Sequence, residues 1–188
     1  PGMPAAAGET MNFEPSEEHE LIRTAVQKVC ADFPDEYWAT CDAEHEFPWA
    51  FYDAMAAAGW IGIAIPEAYG GSGRGITEAS IVLGEVAASG AAMNGATPLH
   101  LSMFGMEPVV KFGSEAMKQK YLPEVARGAL HCAFGVTEPD AGTDTTSIST
   151  FARREGDYYI VRGRKVWTTK ALQSARVLLL VRTTPRDQ

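Results

Sequence analysis

Cysteine is scarce in this chain: of 188 residues only Cys30, Cys41 and Cys132 carry a thiol, an odd number with no Cys-x-x-Cys pair. That excludes a disulfide framework and a cysteine zinc site, and it fits free thiols in a reducing cytoplasm. Long apolar runs are also missing. The aliphatic stretch 177–181 stops at five residues, against the roughly 20 needed to cross a bilayer, so no membrane span is expected. The start of the sequence has neither an apolar signal core nor the arginines of a transit peptide, and residues 1–11 read as a tag and disordered N-terminus. Basic side chains are few in the first part. Residues 1–110 hold three against sixteen acidic ones, a net of −13, while residues 111–188 hold thirteen against eight, a net of +5. An acidic part of that size repels duplex DNA, so a nucleic-acid partner is excluded. The basic part suits a phosphate-bearing small molecule, unless the two parts simply differ in the sign of their solvated faces.

Core material is plentiful, with 46% apolar and 10% aromatic residues, so the chain can fold without staples. Ser16 can cap a helix in which Glu17, Glu18 and Glu20 favour the positive end, and Ile22, Val26, Val29 and Phe33 form one stripe before Pro34. A second helix is expected from Pro48 to Gly59, then an extended buried stretch over 60–66 and a glycine-rich loop over 69–75. A third helix spans 77–88. A fourth, over 98–112, is apolar on most sides and expected to kink at Pro108, and Ser114 opens another that ends at Gly128. Beyond Gly128 the period changes to alternation, with strands expected over 131–136, 147–154, 158–161, 165–168 and 175–183. Helices followed by strands argue an α+β chain: an N-terminal all-α domain over 12–128 and a sheet or barrel-like domain over 129–188. The latter is expected to be incomplete, because the aliphatic run 177–181 asks for burial on both faces.

Two segments carry the chemistry. The first, Phe134-Gly135-Val136-Thr137-Glu138-Pro139-Asp140-Ala141-Gly142-Thr143-Asp144, runs from a strand into a small hydroxyl-bearing loop that can offer N–H groups and side-chain donors to a phosphate or a polar planar ring. A Gly/Pro turn with Asx caps would have the same composition. The second, Lys165-Val166-Trp167-Thr168-Thr169-Lys170, sets an indole beside two hydroxyls, either to flank a flat ligand or to anchor a core. Glu17-Glu18-His19-Glu20 and Glu44-His45-Glu46 lack the spacing of a metal site, and no metal is expected. The glycines of 70–75 lack the Lys-Ser/Thr of a phosphate loop and read as a turn.

Together the two segments resemble the acyl-CoA dehydrogenase family, whose flavin signature corresponds to residues 134–144 and whose second flavin segment corresponds to 167–170. Pro66-Glu67-Ala68-Tyr69-Gly70-Gly71-Ser72-Gly73 and Lys120-Tyr121-Leu122-Pro123 extend the resemblance over nearly the whole chain from Asn12. It implies FAD as cofactor and α,β-dehydrogenation of an acyl-CoA thioester to the trans-2-enoyl-CoA, with an electron-transferring flavoprotein as acceptor and a homotetramer or homodimer as the assembly. Phe134, Val136 and Thr137 would border the flavin, Thr143 its phosphate side and the thioester, Trp167 the ring system and Thr169 the N5 edge, with Gly142 and Thr168 also among the cofactor-binding residues. His100, Met103 and Met106 would lie toward the acyl chain or pack in the core. Asp140, Thr143, Thr168 and Lys170 depart from the residues commonest at their positions. The family's C-terminal helical bundle, with its glutamate base, has no counterpart in these residues, so no catalytic residue is assigned and the chain alone is expected to be inactive. An acyl-CoA oxidase-like flavoprotein and a truncated non-catalytic interaction module are the alternatives.

Overall fold

In the computed structural model, which describes residues 14–185, the first half of the chain is helical and the second carries four short strands. The expected tag at 1–11 lies outside the described residues. Helix α1 is Glu17–Cys30. The Ser16 hydroxyl accepts the His19 N–H and the Ser16 N–H donates to His19 Nδ1, so two of the amides left free at this end find partners. Ile22, Val26 and Cys30 face inward, and Phe33 packs against the same core from the turn that follows.

Helix α2, Asp35–Ala43, has no counterpart in the expected pattern. It buries only Trp38, too little to make a period, yet Pro34 begins it and Asp35 and Glu36 sit in its first turn, where the helix dipole favours acids. Helix α3, Trp49–Ala57, buries Phe51, Tyr52 and Met55 and ends at Gly59, whose φ of 82° turns the chain back. The stretch expected to be extended instead opens with a 3₁₀ turn, Trp60–Gly62; Ile61, Ile63 and Ile65 are buried all the same.

The glycine-rich loop is a turn, and it is fully occupied with itself. Gly70 N–H donates to Glu67, Gly71 to Pro66, Ser72 to Gly62, Gly73 to Ile65 and Arg74 to Ile63, at 2.8 to 3.3 Å. Amides spent on carbonyls are not free to cradle an anion.

Helix α4, Ile76–Val86, passes through a wide turn, Ala87–Ala91, into α5, Ala92–Phe112. The bend lies at Gly90, with φ 97°, and not at Pro108; both Pro98 and Pro108 sit inside a continuous helix. A left-handed glycine redirects the whole backbone, whereas each proline removes one donor. By length and composition alone, Ile76–Phe112, with an 18-residue stretch of mean hydropathy 1.2, is long and apolar enough to span a membrane, although it holds no long unbroken apolar run. Here the bend at Gly90 divides it, and Val82, Val86 and Leu99 lie in the helical core. Helix α6, Glu115–Ala126, starts at Ser114, whose hydroxyl accepts the Met117 N–H.

Two cores result. One gathers Val26, Phe51, Tyr52, Met55, Val82, Val86, Leu99 and Met103, with Phe33 and Trp38 set edge-on to Phe51 at centroid distances of 5.2 and 4.9 Å. The other gathers Ile65, Met106, Val109, Leu122, Val125 and Cys132. Helix α5 contributes to both.

Strand β1, Cys132–Gly135, lies parallel to β4, Arg176–Leu179, with Cys132 opposite Arg176 and Gly135 opposite Leu179. Between them in sequence, β2, Phe151–Glu155, and β3, Tyr158–Arg162, form an antiparallel hairpin turning at Gly156, φ 60°. The strand expected from 147 starts only at 151, because Asp144 caps a 3₁₀ turn at Thr145–Ser147. Residues 165–168 run alongside β1's exit without a ladder, joined by a single backbone hydrogen bond. Val177, Leu179 and Leu180 stay 40 to 49% exposed, so the expected burial on both faces is not met within this chain.

Candidate functional site

The signature loop leaves β1 and is met at once by the second segment. Val166 donates its N–H to the Thr137 carbonyl at 2.9 Å. One residue earlier, Lys165 Nζ donates to the Val136 carbonyl at 2.9 Å and to Glu138 Oε1 at 2.8 Å. Glu138 further accepts the Ser149 N–H and hydroxyl, both at 2.6 Å, and the Thr150 N–H at 2.9 Å. Both ionic side chains are buried, 3% and 8% exposed. Burial pushes the Glu138 carboxyl up, but the Lys165 ammonium and the Ser149 and Thr150 donors outweigh it and hold the group well below its ordinary 4.5. A satisfied buried pair therefore pins the first segment to the second and to the start of β2.

What this pin presents is Trp167. Its indole is 88% exposed and its backbone sits at φ 58°, a conformation costing a bulky residue about 1–3 kcal/mol. Thr168 is half-buried. Thr169 is exposed and lines a cleft of about 350 Å³ with Met93, Asn94, Thr97, Pro98 and Lys170. Lys170, also left-handed at φ 63°, turns inward: its Nζ donates to the Pro98 carbonyl at 3.2 Å and lies 4.8 Å from the Tyr52 ring centroid. Burial draws its ammonium down to about 8. The His131 ring, 4.4 Å from that of Tyr52, is pushed down to about 4 by burial first and by Lys170 second, and is neutral at pH 7.

The expected site residues divide into two places. Phe134, Val136 and Thr137 are half-buried at the end of β1 beside the 165–169 segment; Phe134 meets Phe104 edge-on at 5.1 Å, and Phe104 stacks on His100 at 5.0 Å. Gly142 and Thr143 are exposed at the far tip of the loop, and among the described residues no hydrogen bond joins them to 165–170. The loop's return is clamped by Asp144, which accepts the Thr146 N–H and the Ser147 hydroxyl, and by Arg182, whose Nε donates to the Ile148 carbonyl at 2.7 Å. Met103 and Met106 are buried in the two cores, while His100 is exposed. Among the described residues there is no group of three metal-ligating side chains, and His19 is engaged with Glu78 at 3.1 Å.

Residues 16–129 match the family model for the acyl-CoA dehydrogenase N-terminal domain, and residues 133–188 match that for its middle domain. The chain belongs to the acyl-CoA dehydrogenase family. The acyl-CoA dehydrogenase FadE12 of Mycobacterium tuberculosis is 35% identical over 177 residues, 91% of this chain and 44% of that protein. Among solved structures, a glutaryl-coenzyme A dehydrogenase with glutaryl-CoA aligns with TM-score 0.85 and 31% identity over 93% of this chain and 45% of that one. An acyl-CoA dehydrogenase of Bacillus anthracis complexed with FAD aligns with TM-score 0.79 and 25% identity over 90% of this chain and 30% of that one. The chain thus spans less than half the length of these relatives.

Several residues of this acyl-CoA dehydrogenase chain that shape the site escape the sequence reading. Glu138 lies inside the signature, but its partner Lys165 is 27 residues away and carries no mark of pairing. Lys170, read as a variation within the second segment, is a buried anchor. Arg182 falls within the strand expected over 175–183 but lies beyond β4, in an isolated bridge to Phe151. Charged residues next to a Gly/Thr loop are the available signal, since such loops need their carbonyls and turns held from outside.

Proposed function

We propose that this chain supplies the helical domain and the flavin-facing edge of an FAD-dependent acyl-CoA dehydrogenase, which removes hydrogen from Cα and Cβ of an acyl-CoA thioester to give the trans-2-enoyl-CoA. The Val166 to Thr137 hydrogen bond carries the reading, because it brings the two segments named by the resemblance onto one edge. The residues fit a flat, polar cofactor. An exposed indole at Trp167, hydroxyls at Thr137, Thr143 and Thr169, and open space above Gly142 offer apolar cover and neutral donors. FAD, when bound, supplies the acceptor for hydride; the protein holds, orients and polarises it. Thr137 would donate at the pyrimidine edge and Thr169 near N5, where a donor stabilises the negative charge the ring gains. Thr143 would serve the phosphate side and the thioester, with Phe134, Val136, Gly142 and Thr168 completing the contact.

On this reading the acceptor is an electron-transferring flavoprotein, the protein works in the cytoplasm as a homotetramer or homodimer, and the base that takes the α-proton is a glutamate outside these residues. The test is a visible spectrum of the complete protein with FAD, followed by a panel of acyl-CoAs. A flavin band bleached by a thioester is expected, without oxygen uptake. A colourless protein would refute the reading, and acyl-CoA-dependent oxygen consumption would make it an oxidase.

A further inference from the structure

Lys170 and Trp167 are three residues apart, share left-handed backbone and point to opposite fates. Trp167 is 88% exposed and Lys170 is 7% exposed. The lysine side chain leaves the β half and enters the helical domain, where its Nζ donates to the Pro98 carbonyl of α5 and lies 4.8 and 5.8 Å from the ring centroids of Tyr52 and Phe47. The groups facing it are Tyr52 from α3, His131 and Cys132 from the entry to β1, and Asp42, His45 and Glu46 across the cleft. Among the described residues no carboxylate forms an ion pair with it.

An ammonium so placed burdens the fold, and burial lowers its proton affinity accordingly. Methionine would fill the same space without that burden. What the ammonium adds is direction: one hydrogen bond to one carbonyl and two aromatic faces fix where the 167–170 segment ends.

We propose that Lys170 is a positioning residue: it nails the segment carrying Trp167 and Thr169 to α5 and α3 and thereby holds the strained backbone that presents the indole. The proposal rests on the flavin reading for what the indole is presented to; the nailing itself does not.

The test labels the complete protein with 5-fluorotryptophan, so that Trp38, Trp49, Trp60 and Trp167 give separate fluorine resonances, with W167F identifying its own. In K170M, which keeps length and loses the donor, the Trp167 resonance is expected to shift beyond its linewidth and broaden, while those of Trp38 and Trp60 stay. K170Q, which keeps a shorter donor, is expected to move it less and guards against K170M failing to fold. A Trp167 resonance unchanged in both variants, or moved more by K170Q than by K170M, overturns the proposal. FAD should move the same resonance in the unsubstituted protein, and K170M should lower the rate of flavin reduction by up to about 100-fold, as misplacement of a positioned group does. If K170M moves the resonance but FAD does not, the flavin reading fails and the positioning role stands.

Discussion

The Thr137 carbonyl and the Val166 N–H meet at 2.9 Å, and this one contact joins two segments whose midpoints are some thirty residues apart in the chain. Parallel pairing of β1 with β4 and the buried Glu138–Lys165 pair hold the join from either side.

That pair sets the first expectation. Glu138→Ala leaves the Lys165 ammonium buried with only the Val136 carbonyl, and should cost about 3–5 kcal/mol, the range for stripping one partner from a buried pair. Lys165→Met should cost less, because Ser149 and Thr150 still donate to the carboxylate. Urea midpoints decide it; equal losses, or a loss below about 1 kcal/mol in Glu138→Ala, would show that the pair does not hold the loop.

Glu138, His131 and Lys170 give the stability curve a predictable shape. Glu138 is held below 4.5, so the unfolded chain takes its proton first and the pair's stabilisation, complete above 4.5, is lost as pH falls below it. His131, lowered from 6.5 to about 4, makes stability decline as pH falls through that interval, and His131→Phe should flatten it. Lys170 acts at the other end: its burial is a burden in full below about 8 that is relieved as pH rises toward 10.5, so stability should climb there, and Lys170→Met should abolish the climb. Denaturation at stepped pH reads all three slopes.

Gly71 has no room for a side chain. A Cβ there would stand 2.0 Å from the Ile65 carbonyl oxygen and 2.5 Å from that of Gly62, both backbone atoms fixed by the loop's own hydrogen bonds. Gly71→Ala should lower stability by about 1–3 kcal/mol or more, as overpacking does. Gly70→Ala, with nothing within 4 Å but φ 81°, should lose a smaller amount to backbone strain alone. Thermal melts of the two variants separate crowding from conformation.

Trp167→Ala should separate folding from binding. An indole 88% exposed supports little of the fold, so stability should stay within about 0.5 kcal/mol of the parent, while affinity for FAD falls. A variant that melts early would mean that the indole is structural.

The helices were readable because each pays its way locally: Ser16 and Ser114 announce α1 and α6, Gly59 closes α3, and apolar spacing marks the buried faces. Helix α2 was not, since one buried tryptophan makes no period. The prolines misled for a physical reason: Pro108 removes a single donor, and a helix packed on both cores tolerates that, whereas the bend needed a residue able to reach φ 97° at Gly90. At the site, the two segments were legible through their residue types and their likeness to a known family. Their means of attachment was not, because Glu138 finds Lys165, and Lys170 finds Pro98, across separations of 27 and 72 residues that no local pattern encodes.

Helix α5 runs through both cores, giving Leu99 and Met103 to one and Met106 and Val109 to the other. Neither nucleus can melt while that shared spine keeps its register, so heat or denaturant should take the bundle and the β1 edge apart in one cooperative step, and calorimetry should record a single peak.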